Sequence, residues 1–313
     1  MSAVRPRRPV ALALTALAAG AASLGLSACA SQGTAATGAT AVPSPRVTAP
    51  LAPSSAPATT TAKPPATPTA RALSSAHVHA VAREPVTGDV LVATHEGLYV
   101  YGKGEPRKVG PTIDLMGFTV AGPGHYYASG HPGPGVDLPQ PAGLLESRDG
   151  GRSWTVLSRG GSSDFHALAA TPERVLGFDG TVRTTTDGRT WETGDLASPP
   201  RSLAISPDAR RVLATTADGL MGSDDGGRRW APVKGAPLLL FVDWADGQTV
   251  AGLSPEGRLH LSTDTGRTWQ TTKAGASDIQ ALDATGSGKT LEVVAATGQR
   301  LVTSRAGGSF GTG

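Results

Sequence analysis

From residue 77 onward the apolar residues come in short strand-length runs, cut by clusters of Gly, Asp, Ser and Thr. The runs recur with a period near forty residues and fall into sets of antiparallel strands. Innermost strands are predicted to begin near His79, Gly117, His166, Arg201, Phe241 and Gln280. Second strands are predicted over 89–94, 126–130, 174–178, 211–216, 249–253 and 291–296, and third strands open at Gly97, Gly143, Thr181, Gly219, Arg258 and Arg300. Units of this length and pattern are the blades of a β-propeller. The prediction is an all-β, six-bladed propeller over residues 77–313.

The third strand of four blades ends in one motif. Ser147-Arg148-Asp149-Gly150-Gly151-Arg152-Ser153-Trp154, Ser223 to Trp230 and Ser262 to Trp269 read S-x-D-x-G-x-x-W, and Thr185 to Trp191 lacks one residue of it. The motifs begin 38 or 39 residues apart. Gly after Asp permits a left-handed turn, the Asp carboxylate accepts turn N–H groups, and Trp supplies a large apolar face, expected to cover the outside of the hairpin. Asp149, Asp187, Asp225 and Asp264, with Trp154, Trp191, Trp230 and Trp269, are therefore read as structural. The first blade has Tyr101-Gly102-Lys103-Gly104 in place of the motif, and the sixth has Arg305 for Asp and Phe310 for Trp. Residues 71–76 are the candidates to complete the short last blade.

The motif resembles the Asp box, or BNR repeat, of sialidase-like and sortilin-like propellers. The order of segments HVHAVA, THEGL, MGFTV, SGHP, LLESRDGGRSW and DFHAL also resembles a group of secreted bacterial propellers that are labelled glycosyl hydrolases or exo-sialidases. The resemblance implies the fold; such boxes occur in enzymes and non-enzymes, so it leaves the activity open. A sialidase also implies an arginine triad, a Tyr–Glu pair and an R-I-P motif. This chain has no R-I-P, and its four tyrosines all lie between Tyr99 and Tyr127. Sialidase activity is not expected.

Charge divides the chain. Residues 1–76 hold six Lys or Arg and no Asp or Glu, which leaves the remainder with a formal charge of −3. The folded part thus offers no basic surface for nucleic acid. Arg5, Arg7 and Arg8 precede an apolar, Ala-rich stretch, and Leu26-Ser27-Ala28-Cys29 resembles a bacterial lipobox. Residues 1–28 are read as a lipoprotein signal peptide. Cys29, the sole cysteine, is read as the lipidated first residue of an extracytoplasmic, membrane-anchored chain. Residues 29–76, rich in Ala, Thr, Pro and Ser, are expected to be a disordered linker. A closed ring without free sheet edges is expected to be a monomer.

Strand direction alternates within a blade, so the starts of the inner strands and the connections between second and third strands share one rim. Five of the seven histidines, His77, His79, His95, His131 and His166, fall there on three adjacent blades. Converging imidazoles suit a transition metal such as copper or zinc, for which Met116 is a candidate soft ligand. They equally suit an anionic or glycan ligand, or simply cap strands around the channel. Glu96, Asp164 and Asp179 lie on the same rim, as candidates to orient the rings or as the carboxyl pair a glycoside hydrolase needs. Three functions remain open: a ligand- or metal-binding surface lipoprotein, a glycoside hydrolase, and a scaffold docking an envelope protein or glycan.

Overall fold

In a computed structural model, Leu73 and residues 77–311 are described; Cys29, the signal peptide and nearly all of the linker lie outside them. Six antiparallel sheets follow one another, five of four strands and the last of three. Their inner strands are Val78–Arg83, Ile113–Gly122, Ala167–Thr171, Pro200–Ile205, Phe241–Trp244 and Ile279–Thr285. Each packs beside the inner strand of the next blade, and Ile279–Thr285 packs beside Val78–Arg83 to close a six-bladed ring. Five of the six begin within a residue of the predicted start. The second begins four residues earlier, at Ile113 rather than Gly117, which carries Asp114 to the rim.

The core is a set of layers between blades. Leu91, Leu98, Phe118, Tyr126 and Leu145 fill the first junction, and Leu259, Leu253, Leu291 and Val293 fill the fifth. The motif tryptophans belong to these layers. Trp154 packs with Phe118 between the first two blades, and Trp191 stacks on Phe165 between the second and third. This corrects the expectation that they cover the outside of their hairpins. Packed against the neighbouring blade, the indole withdraws more of its apolar surface from water.

The turns themselves are built as the residues suggest. Ser147 Oγ donates to Asp149 Oδ1 at 2.9 Å and accepts the Gly151 N–H at 2.9 Å, while Asp149 also accepts the Ser153 N–H at 3.0 Å. Ser262 and Asp264 repeat this around the Gly266 and Thr268 N–H groups. The Ser153 hydroxyl and N–H hold Asp149 down to about 2, and the Thr268 N–H and hydroxyl do the same for Asp264. Gly151 has φ 84°, and a Cβ there would lie 2.4 Å from Leu98 Cδ2, so glycine is required twice over.

Of residues 71–76, the candidates to complete the last blade, all but one lie outside the described residues. Of that segment Leu73 is described: its N–H donates to the Gln299 carbonyl at 3.1 Å and its side chain joins the Val78, Val81 and Leu301 layer. Gly311 exchanges hydrogen bonds of 2.9 and 2.8 Å with Thr303, on the third strand of the last blade.

The inner strands present free N–H groups to the channel, and side chains of neighbouring blades satisfy several of them. Thr119 Oγ1 accepts from Ala170 at 3.2 Å, Asp243 Oδ2 from Ala284 at 2.8 Å and Asp283 Oδ1 from Arg83 at 3.0 Å. The last of these joins blade six to blade one. Burial pushes Asp283 up to about 6, against the attraction of Arg83, and pushes the neighbouring Asp243 well up too. A carboxyl raised on folding gives stability that is complete below its unfolded value and lost as pH rises through about 6. Asp283→Asn is therefore expected to be better tolerated at pH 7 than at pH 4. Urea unfolding of both proteins at the two pH values checks this, and an equal or greater cost at pH 7 would refute it.

Candidate functional site

The rim is shaped by a repeated irregularity. Four inner strands carry a β-bulge at the same register, and the residues it displaces are His79, Met116, Arg201 and Gln280. A bulge re-aims one side chain without breaking the pairing around it. His166 stands immediately before the inner strand of blade three. His79, His166 and Arg201 line a central channel of about 380 Å³. Among the described residues Arg201 makes no ion pair or hydrogen bond; its guanidinium lies over Phe241, 5.1 Å from the ring centroid.

The histidines separate into two groups. In the first, one ligand nitrogen from each of His77, His79 and His95 lies within 4.8 Å of the others. His79 Nε2 is 3.3 Å from His95 Nδ1. Asp114 Oδ1 is 2.9 Å from His95 Nδ1 and 3.6 Å from His79 Nε2. Burial, then the neighbouring His95, lowers His79 to about 4, although Asp114 acts the other way. His79 is thus neutral at physiological pH with a lone pair available.

In the second group Asp164 Oδ2 lies 2.7 Å from His166 Nε2 and 3.1 Å from His131 Nε2. His79 also feels the charge of His166, which places the two groups on one rim. The other two histidines are elsewhere: His125 pairs with Glu146 at 2.9 Å, and His260 is buried against Thr271. Met116 is half-buried at the bulge of the second inner strand.

The three carboxylates proposed for hydrolysis are engaged separately. Glu96 accepts the Tyr99 hydroxyl at 3.0 Å. Asp164 is held between two imidazoles. Asp179 accepts from Ser163 at 2.5 Å and Arg183 at 2.9 Å, with Arg159 at 3.3 Å. Burial raises Asp179, but Ser163 and the two guanidiniums outweigh it and leave the carboxyl below its ordinary range. No hydrogen bond or ion pair links any two of the three. The residue that sequence reasoning left out of the metal set is Asp114. Its signal was the alternation in Ile113-Asp114-Leu115, which extends the strand toward the rim.

No family model and no curated protein matches the sequence. Among solved structures the chain is similar to YCF48 bound to a D1 peptide, at 14% identity and TM-score 0.46, covering 75% of this chain and 96% of that one. It is also similar to an ancestral GH74 enzyme at 15% identity and TM-score 0.50, covering 76% of this chain but 37% of the enzyme. The second similarity shows a shared fold and nothing of activity.

Proposed function

We propose that this protein is an extracytoplasmic lipoprotein that binds a transition metal, zinc or copper(II), at the channel rim through His77, His79 and His95, with Asp114 beside them. One observation carries the reading. His79 Nε2, His95 Nδ1 and Asp114 Oδ1 form a triangle with sides of 3.3, 2.9 and 3.6 Å. A tetrahedral centre with bonds of about 2.0–2.1 Å holds its ligands about 3.3 Å apart, so little movement separates the triangle from one face of such a centre. Imidazole nitrogen and carboxylate oxygen are donors that suit both metals. The separate engagement of Glu96, Asp164 and Asp179 gives the hydrolase reading no comparable support. The shared turn hydrogen bonds around Asp149 and Asp264 favour a place among Asp-box propellers.

Protein purified without a histidine tag, stripped with chelator and titrated calorimetrically with zinc and with copper(II), is expected to take up metal. Uptake that is absent, or whose stoichiometry and affinity are unchanged by replacement of both His79 and His95, would remove the proposal. Anchoring is tested separately. Cys29→Ser is expected to release the protein from the membrane fraction and abolish incorporation of labelled fatty acid; unchanged membrane association would refute the lipid anchor.

A further inference from the structure

On blade four, three blades round the ring from His79, the channel carries a cation that the metal site does not use. We infer that the channel binds a small monocarboxylate with an apolar tail, the carboxylate held by Arg201 and the tail lying against the bore.

The fold presents this side chain to the channel. Arg201 is displaced by the bulge between Pro200 and Ser202 and lines the space of about 380 Å³. Its guanidinium lies 5.1 Å from the ring centroid of Phe241, which is itself buried on the inner strand of the next blade. Attraction to the ring face restrains the guanidinium without using its N–H groups. Those forked donors match the two oxygens of a carboxylate.

A second observation concerns charge. Six ionisable side chains line the channel: His79, Arg83, His166, Arg201, Asp243 and Asp283. Five of them have partners. His79 faces His95, His166 faces Asp164, Arg83 pairs with Glu292, and Asp243 and Asp283 accept the Ala284 and Arg83 N–H groups. Among the described residues Arg201 alone has no ion pair or hydrogen bond. A guanidinium keeps its proton in proteins, so the channel holds one uncompensated positive charge, which suits a singly charged anion. The two carboxyls are the competing attraction, for a cation, but burial pushes both toward the uncharged form.

The bore supplies the rest of the ligand. Ala80, Val120, Ala170 and Leu282 line it, each half-buried. Its volume falls within the range of about 300–1,000 Å³ typical of small-molecule pockets. Covering such a wall with hydrocarbon strengthens binding by about fourfold for each CH2 fully buried.

Calorimetric titration of the chelator-stripped, full-length protein at pH 7 tests this, with hexanoate as the probe and acetate, hexanol and hexylamine for comparison. Hexanoate is expected to bind at least tenfold more tightly than each of the three. Equal affinity for hexanol would overturn the charged contact, and equal affinity for acetate would overturn the tail. Tighter binding of hexylamine would assign the channel to Asp243 and Asp283 instead, and absence of hexanoate binding would overturn the whole inference. Arg201→Gln is expected to weaken hexanoate by about tenfold or more, the loss of a hydrogen bond to a charged group, and to leave zinc uptake unchanged. The residue is exposed, so its replacement leaves the core intact. Unchanged hexanoate affinity in that variant would overturn the role of Arg201. Hexanoate binding in a protein that takes up no zinc would remove the metal proposal and leave this one standing; zinc uptake without hexanoate binding would do the reverse.

Discussion

Replacing His79 by alanine is expected to weaken metal binding at the first site at least 100-fold. Three features make this position decisive. The bulge after Val78 aims the ring into the channel mouth, where 11% of the side chain remains exposed. Its Nε2 lies 3.3 Å from His95 Nδ1 and 3.6 Å from Asp114 Oδ1. Its lowered titration, to about 4, means that binding does not first have to remove a proton at neutral pH. Loss of a residue that merely orients a ligand costs roughly 10–100-fold in affinity, so loss of a ligand itself should cost at least the upper figure. A 100-fold loss corresponds to about 2.7 kcal/mol. Competition titration against a chelating dye measures it, and a loss of less than about fivefold would show that His79 is not a ligand.

The same variant has a second signature without metal. A histidine lowered on folding gives stability that is complete above its unfolded value of 6.5 and lost as pH falls toward about 4. Metal-free His79→Ala should therefore lose less stability than wild type between pH 7 and pH 4. Asp283 acts in the opposite direction over much of that window, so the comparison must be made between single variants and not from the wild-type curve alone. A variant whose acid-side loss matches that of the wild type would contradict the assignment.

The largest expected loss of stability follows Phe165→Ala. The ring is fully buried and stacks on Trp191 with centroids 5.2 Å apart. It lies against Gly177, where a Cβ would come within 2.5 Å of Phe165 Cδ1, so the facing strand has given up its own side chain to admit it. Truncating a buried phenylalanine costs about 3–5 kcal/mol, because the transfer energy is lost and a cavity remains. For a domain of this size that lowers the melting temperature by roughly 10 °C. The substitution also frees residues 164 and 166, so the contacts of Asp164 with His131 and His166 should loosen. A melting point within about 3 °C of wild type would show that the junction between blades two and three closes without this ring.

How much was readable beforehand varies with the kind of contact involved. The spacing of Ser147, Thr185, Ser223 and Ser262 was enough for the repeat length, and the strand-length runs then gave six blades, because each turn is closed by its own residues: Asp149 binds groups at most four positions away. The rim position of the five histidines was readable for the same reason, since strand direction within a blade is a local property. The partners of those histidines were not. His95 meets Asp114 only because blades one and two pack against each other through an apolar layer, and His131 meets Asp164 across 33 positions of sequence. Nor was the direction of the motif tryptophans readable, since it depends on which neighbouring surface is there to be covered.

By itself, then, the amino-acid sequence determined the repeat, the turn chemistry and the end of the molecule at which each imidazole emerges. These follow from hydrogen bonds and backbone preferences that act over a few residues. Only the tertiary structure decided that three imidazoles and Asp114 gather at one point, that two others share Asp164, and that Asp179 is committed to arginines. Those outcomes are set by the register between neighbouring blades, where a single bulged residue, His79 or Met116, changes what faces the channel. Packing between blades fixes that register, and no local pattern encodes it.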